Sequence, residues 1–421
     1  MQRKVEITSH AELVIARCQK LASYTEDAGS TCRTFLSPPM RQCHAELARW
    51  MDPVGADIRL DAAGNWRAYY PALEPVAPRL FIGSHLDTVP NAGAYDGILG
   101  VVLAVSLLEA LGGRRLPFGI EVVGFSEEEG VRFGAPFIGS RALVGRLDAD
   151  LLGRRDARGI SVAKAIEDFG INPADIPRAA LNDDAIGFLE FHIEQGPVLE
   201  NLGRPLGVVD AIVGQSRLSF TFVGRANHAG TTPMNLRWDA LAAAAEWITA
   251  VERLAQTIPG LVATVGSVNT EPGVANVIAG EAHTTLDVRH SADDLRTRAV
   301  EDMIRDAEEI ARRRGLSVRW NMLLNQSAVT MDPFLIAQVE EAIRKAGCEP
   351  HRMASGAGHD AMILAEKVPS AMIFLRSPGG ISHNPKESVF VEDVARALES
   401  GLHLLNQLAR SHDFQKRINR A

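Results

Sequence analysis

Apolar and polar positions follow two rhythms along this chain. Short apolar runs at "RLFIGS" (79–84), "FGIEVVGF" (118–125), "IGFLEFHIE" (186–194) and "SAMIFLR" (370–376) have the length and the polar flanks of buried strands. Longer segments, "ILGVVLAVSLLEAL" (98–111), "DAMILAEKV" (360–368) and "EDVARALESGLHLLNQLA" (392–409), read as helices. Alternation of the two kinds predicts an α/β sheet with helices on both faces.

The middle of the chain is ordered differently. Strand "RLSFTFVG" (217–224) precedes helix "DALAAAAEWITAVERLA" (239–255) and strand "LVATVGSVNT" (261–270). Strand "EAHTTLDVRH" (281–290), a long amphipathic helix over 291–315 and strand "LSVRWNMLL" (316–324) follow. That is β-α-β-β-α-β, the ferredoxin-like order. We therefore expect an α+β domain at 214–330 inserted into a first domain built from 1–213 and 331–421.

Composition narrows the classes. A chain of 421 residues, 46% hydrophobic, is long enough for more than one core. The net charge of -8, with acids and bases intermixed, has no basic footprint for nucleic acid. Cys18, Cys32, Cys43 and Cys348 are far apart and form no CxxC pair, which argues against a disulfide framework and fits a reducing compartment. The opening "MQRKVEITSHAELV" lacks the apolar core of a signal peptide. The 14 residues of "ILGVVLAVSLLEAL" are the longest apolar run, against about 20 for a membrane span. The expectation is a cytoplasmic protein with no membrane partner.

Active sites of open α/β sheets lie beyond the carboxyl ends of their strands. Four predicted strands end in polar, chemically capable stretches: "HLDTVPNAGAYDG" with His85, Asp87 and Asp96, "SEEEG" with Glu127, Glu128 and Glu129, "FHIEQG" with His192 and Glu194, and "SPGGISHNP" with His383. Taken singly, each has an ordinary reading. A His-x-Asp is as often structural, three adjacent carboxylates usually mark a solvated surface, and a lone loop histidine is usually exposed. Four such stretches together offer enough imidazoles and carboxylates for two zinc-type ions.

The stretches "GSHLDTVPNAGAYDG", "SEEEGVRFG", "FHIEQGPVLE", "GRANHAGTTPM", "NVIAGEAHTTLDVRH", "SGAGHDAM" and "GGISHNP", spread from residue 83 to 385, resemble the dinuclear metal amidohydrolases and exopeptidases related to aminoacylase and glutamate carboxypeptidase. "HIEQG" is similar to the branch of N-carbamoyl-L-amino-acid hydrolases and allantoate amidohydrolases, in which a histidine stands where the peptidases carry a carboxylate. The resemblance implies two divalent ions per subunit, zinc first, with manganese, cobalt or nickel as alternatives. Asp96 would bridge them, His85 and His192 would complete one site, and Glu128 and His383 the other. Asp87 would orient His85, and Glu127 would be the general base acting on a metal-bridging water. It further implies that His228 stabilises the oxyanion, that Arg289 and Asn276 bind a substrate carboxylate, that Gln195 contacts the ureido group, and that Gly358 and His359 line the pocket. The inserted domain would dimerise, with His228 and Asn276 reaching the partner subunit's active site. No role follows for Glu129, and Glu194 is left between a supporting and a structural reading. The expected substrate is a small carbamoyl or ureido carboxylate. The alternatives are a peptidase or N-acyl-amino-acid deacylase on the same scaffold, and a non-catalytic binding protein, which would need a lost ligand or base.

Overall fold

The computed structural model describes residues 2–418. The chain forms two compact units. One comprises the chain up to Asp210 and again from Met331, the other Ala211–Thr330.

The first unit is organised by a mixed sheet. Its strands lie in the order Asp57–Leu60, Trp66–Tyr70, Gly119–Phe125, Arg79–His85, Ala185–Ile193, Ser370–Leu375 and Leu206–Ile212, with Arg352–Ser355 paired to the last of these. The four central strands, from Gly119–Phe125 to Ser370–Leu375, run parallel. Their side chains are buried on both faces, as the near-continuous apolar runs require. Register brings His85 level with Phe125 and Leu375 level with Ile193, so the carboxyl ends of all four strands finish together. Alternation then sorts the faces. On Ala185–Ile193, the Glu190 carboxylate accepts from the Ala361 N–H of the helix Asp360–Leu364. The ring of Phe191, one position on, lies against the opposite side, beside Gly401 of the helix Val391–Arg410. The helix Ile98–Ala110 is buried without a break from Ile98 to Leu108, so it carries no polar stripe.

The second unit has an antiparallel four-stranded sheet, in the order Ser317–Gln326, Gly214–Val223, Glu281–His290, Val262–Glu271. Leu218, Phe220 and Phe222 alternate with half-exposed neighbours, as do Ala282, Leu286 and Val288, so one face packs under the helices Ala240–Thr257 and Asp293–Arg313. Trp247 fills this core against Phe220, with ring centroids 4.4 Å apart, and its indole N–H donates to the Met303 carbonyl at 2.8 Å. Asp239 caps the first helix by accepting from the Ala242 N–H at 3.1 Å. Acids in the first turn and arginines in the last turn of the second complement its dipole. Among the described residues, no helix is long and apolar enough to cross a membrane.

Periodicity in the sequence did not reveal the edge strand Asp57–Leu60, which is exposed at every position and so has no alternation, or the strand Leu206–Ile212. The helix expected over 360–368 stops at Leu364.

One buried group makes stability depend on pH away from the strand ends. His44, in the helix Pro38–Met51, lies edge-on to Phe169 with both ring nitrogens buried and unbonded. Burial, reinforced by Arg33 and Arg41, pushes its pKa down to about 3. An unfolded histidine titrates near 6.5. Between those values the unfolded chain binds a proton that the folded chain refuses, so stability falls as pH drops through that window. Replacing His44 by leucine should shrink the stability difference between about pH 7.5 and 4.5 by roughly 2 kcal/mol, read from urea unfolding at the two pH values. Parallel losses in both proteins would refute it.

Candidate metal centre

The level ends of the parallel strands bring the four polar stretches together. His85 is the last residue of its strand, and its Nδ1 lies 3.0 Å from the Asp87 carbonyl oxygen. His192 is next to last in its own strand, with Nδ1 at 2.9 Å from the Ile193 carbonyl oxygen. A carbonyl only accepts, so each Nδ1 carries the hydrogen and each Nε2 presents a lone pair. Those two Nε2 atoms face each other at 3.4 Å, and Asp96 Oδ1 lies 3.3 Å from the His192 nitrogen. Lone pairs and a carboxylate converging in a buried place fit a shared cation. The other Asp96 oxygen lies 3.0 Å from His383 Nε2, so this one carboxylate spans two groups. His85, Asp96 and His192 form the first and Asp96, Glu129 and His383 the second, the ligand atoms of each lying within 4.8 Å of one another. Both are nitrogen and oxygen donor sets suited to zinc-type ions.

Backbone geometry is spent on this arrangement. Gly97 lies flat under the His85 ring at φ 67°, and a Cβ there would come within 2.4 Å of it. Gln195 and His383 are both non-glycine residues at positive φ, 60° and 53°, a strain that persists where the surroundings impose it.

The three glutamates are distributed differently from the sequence expectation. Glu129, left without a role, has its Oε1 3.5 Å from His383 Nε2. Glu128 is grouped instead with His85 and Glu129, and not with His383. Glu127 is fully buried and belongs to none of the groups found among the described residues. The cause is a loop that leaves the strand after Ser126 and folds around Asp87. The Asp87 carboxylate accepts from the Glu128 N–H at 2.9 Å and the Glu129 N–H at 3.1 Å, and Gly130 turns away at φ 73°. Strand alternation therefore no longer says where each carboxylate goes. Asp87 stands against His85 as expected, its carbonyl 3.0 Å and its carboxylate 3.5 Å from Nδ1, and the carboxylate also holds the glutamate loop.

The site is crowded with carboxylates. Burial, with Asp87 and other acids close by, holds Glu127 and Glu128 well above the usual carboxylate range, and burial pushes Glu129 up to about 7. Asp96 goes the other way: burial opposes its charge, yet the hydrogen bond with His383 and the imidazoles of His192 and His85 around it hold it below that range. Burial pushes His192 down to about 4, which favours the neutral, lone-pair form.

The remaining expected residues fall into two sets. In the first unit, the Gln195 amide donates to both Asp96 oxygens at 2.9 and 3.1 Å. His359 is buried against His192, with centroids 4.4 Å apart, and its Nε2 meets Ser355 Oγ at 2.9 Å. Gly358 passes so close to Phe137 that a Cβ would lie 2.9 Å from the ring. Glu194 accepts from the N–H groups of Val198 and Leu199, which is a structural job. In the second unit, exposed His228 accepts the Gly230 and Thr231 N–H groups at Nδ1, at 3.0 and 3.2 Å, so its hydrogen is on Nε2. The Asn276 carbonyl accepts from Ala229 N–H, tying it to the His228 turn. Arg289 forks onto Asp287 at 2.8 and 3.2 Å. Sequence reading missed Glu190 and Glu387. Glu190 accepts from Ser84 Oγ at 2.7 Å and lies in a buried group with His192 and His359; its place on the His192 face, two residues earlier, was the available signal.

The profile of peptidase family M20/M25/M40 matches residues 81–407. The chain is 37% identical to an N-carbamoyl-L-amino acid amidohydrolase of Geobacillus stearothermophilus, over 91% of this chain and 95% of that protein. It is 35% identical to the allantoate amidohydrolase of Escherichia coli K12, over 92% and 96%. Among solved structures it is similar to an amidase of the hydantoinase/carbamoylase family from Burkholderia multivorans, with TM-score 0.88 and 29% identity over 94% of this chain and 97% of that one.

Proposed function

The chain belongs to peptidase family M20/M25/M40, and from that membership we propose that it is a metal-dependent amidohydrolase cleaving the carbamoyl or ureido C–N bond of N-carbamoyl-L-amino acids or allantoate. The observation that carries the reading is the pair of donor groups sharing Asp96, with His192 rather than a carboxylate in the first. His85, Asp96 and His192 would hold one divalent ion, and Asp96, Glu129 and His383 the other. Zinc suits these donors best, with manganese, cobalt or nickel compatible. When bound, such ions polarise a carbonyl and make water acidic enough to attack near neutral pH.

The chain's own residues do the rest. We assign the general base to Glu128, because its carboxylate lies with His85 and Glu129, whereas Glu127 belongs to no donor group found among the described residues. Glu128 takes a proton from the attacking water and delivers it to the nitrogen as the C–N bond breaks. One water added and one carbon dioxide lost give ammonia and the shortened product. His228 supplies its Nε2–H to the developing oxyanion, the tautomer fixed by two backbone donors at Nδ1. Arg289 offers a planar fork to the substrate carboxylate, which competes with Asp287 for it. Gln195, Asn276, Gly358 and His359 complete the substrate contacts.

We also propose a homodimer formed through the inserted unit, with His228 and Asn276 serving the partner's active site. Its two outer strands carry exposed Val262, Val268, Trp320, Met322 and Leu323, apolar surface suited to a second copy. Unpaired cysteines, three of them buried, suit a cytoplasmic enzyme.

A substrate panel tests the reading. Zinc- or manganese-loaded protein should release ammonia from N-carbamoyl-L-amino acids or allantoate and leave dipeptides and N-acyl amino acids nearly untouched. Cleavage of the latter without ammonia release from the former would replace it with a peptidase or deacylase.

A further inference from the structure

Glu387 lies four residues beyond His383, in a part of the chain that sequence reading passed over. Its side chain is nonetheless buried at 5% exposure and fully engaged. Oε1 accepts from the Tyr95 N–H at 2.8 Å and the Asp96 N–H at 3.0 Å, across 291 residues of chain to Asp96. Oε2 accepts from Ser382 Oγ at 3.2 Å, and that hydroxyl is 3.5 Å from Asp96 Oδ2. A carboxylate this deep is costly unless its oxygens are bonded, and three donors meet that cost.

We propose that Glu387 is a positioning residue that locks the bridging carboxylate Asp96 to the His383 loop. Asp96 has one oxygen toward His85 and His192 and the other toward His383, so a small rotation of its backbone misplaces both. Asp96 also sits just before the helix Ile98–Ala110, whose first N–H groups are taken by the carbonyls of Asp96, Tyr95 and Gly97, so the backbone of this turn fixes the helix start. Glu387, from the far end of the sequence, holds the two amides of that turn and places a negative charge beside the helix start. The approach is close: a Cβ on Gly93 would lie 2.4 Å from the Glu387 Cβ and 2.5 Å from its Oε1, so the turn leading to Asp96 is moulded on this side chain. Ser382, bonded to the other oxygen, transmits the same constraint to its neighbour His383. Groups that hold ligands in place in this way are typically worth about 10–100-fold in metal affinity.

The inference rests on the two-ion reading, and the test separates them. Zinc affinity and stoichiometry are measured by chelator competition and metal analysis on the full chain, for wild type, E387A, E387Q and S382A, together with thermal unfolding of the metal-free proteins. E387A should weaken zinc binding by about 10–100-fold. E387Q keeps an acceptor oxygen for the two amides and should recover most of that loss. S382A should loosen chiefly the ion held by His383, and by less. Wild-type affinity at both sites in E387A overturns the inference, as does an E387Q as impaired as E387A with an unchanged metal-free melting temperature. Should E387A not fold, S382A decides, and unaltered binding there overturns it. Wild-type protein that binds fewer than two ions overturns the two-ion reading itself, and the inference with it.

Discussion

Glu128→Gln should cut turnover by roughly 10²–10⁴-fold, the usual worth of a general base, while both ions remain bound. The amide keeps the shape of the carboxylate but cannot accept a proton. Its neighbours should answer differently. Glu129→Gln should weaken the ion shared with Asp96 and His383, because Glu129 lies with them and Glu128 does not. Glu127→Gln should leave both ions in place and lower kcat less than Glu128→Gln, since Glu127 is fully buried and belongs to no donor group among the described residues. Steady-state kinetics with metal analysis on all three variants decide the matter. A Glu128→Gln enzyme with full turnover beside a dead Glu127→Gln enzyme would return the base to Glu127.

Asp96→Ala should have the broader effect. Single losses of His85 or His383 should each disable one ion, whereas loss of Asp96 removes a ligand from both groups. The expected protein binds neither ion tightly and has only background activity. Stability provides an independent readout. Ions that bind only the folded chain stabilise it by about 2.7 kcal/mol for each site held at 100 times its Kd. Wild-type protein should therefore gain a higher Tm on zinc addition and lose that gain with a chelator, and Asp96→Ala should respond to neither. An Asp96→Ala protein that carries two ions and shows the wild-type zinc response would refute the bridging assignment.

The difference between Glu127 and Glu128 shows where sequence reading stops. Within a strand, alternation dictates which way a side chain points, so His192 and Glu190 share a face by arithmetic alone. "SEEEG" lies just past the strand end, where direction is set by hydrogen bonds to Asp87, a residue some 40 positions earlier. No local period encodes that contact. Arg289 shows the same limit. Its place on a strand was legible, but its pairing with Asp287, on the same face two residues earlier, depends on rotamers that only the packed sheet selects.

What the sequence by itself determined is the periodic part: which segments are strands, that four of them end in His, Asp and Glu, and that the middle third follows a β-α-β-β-α-β order. Those features follow from burial, which is written locally in apolar spacing. What only the tertiary structure decided is the assignment of atoms: the Asp96 carboxylate divided between two groups, Glu129 rather than Glu128 beside His383, and Glu387 reaching back to the Asp96 turn. Each depends on parallel strands finishing level with one another, so that loops far apart in the chain meet at hydrogen-bond distance.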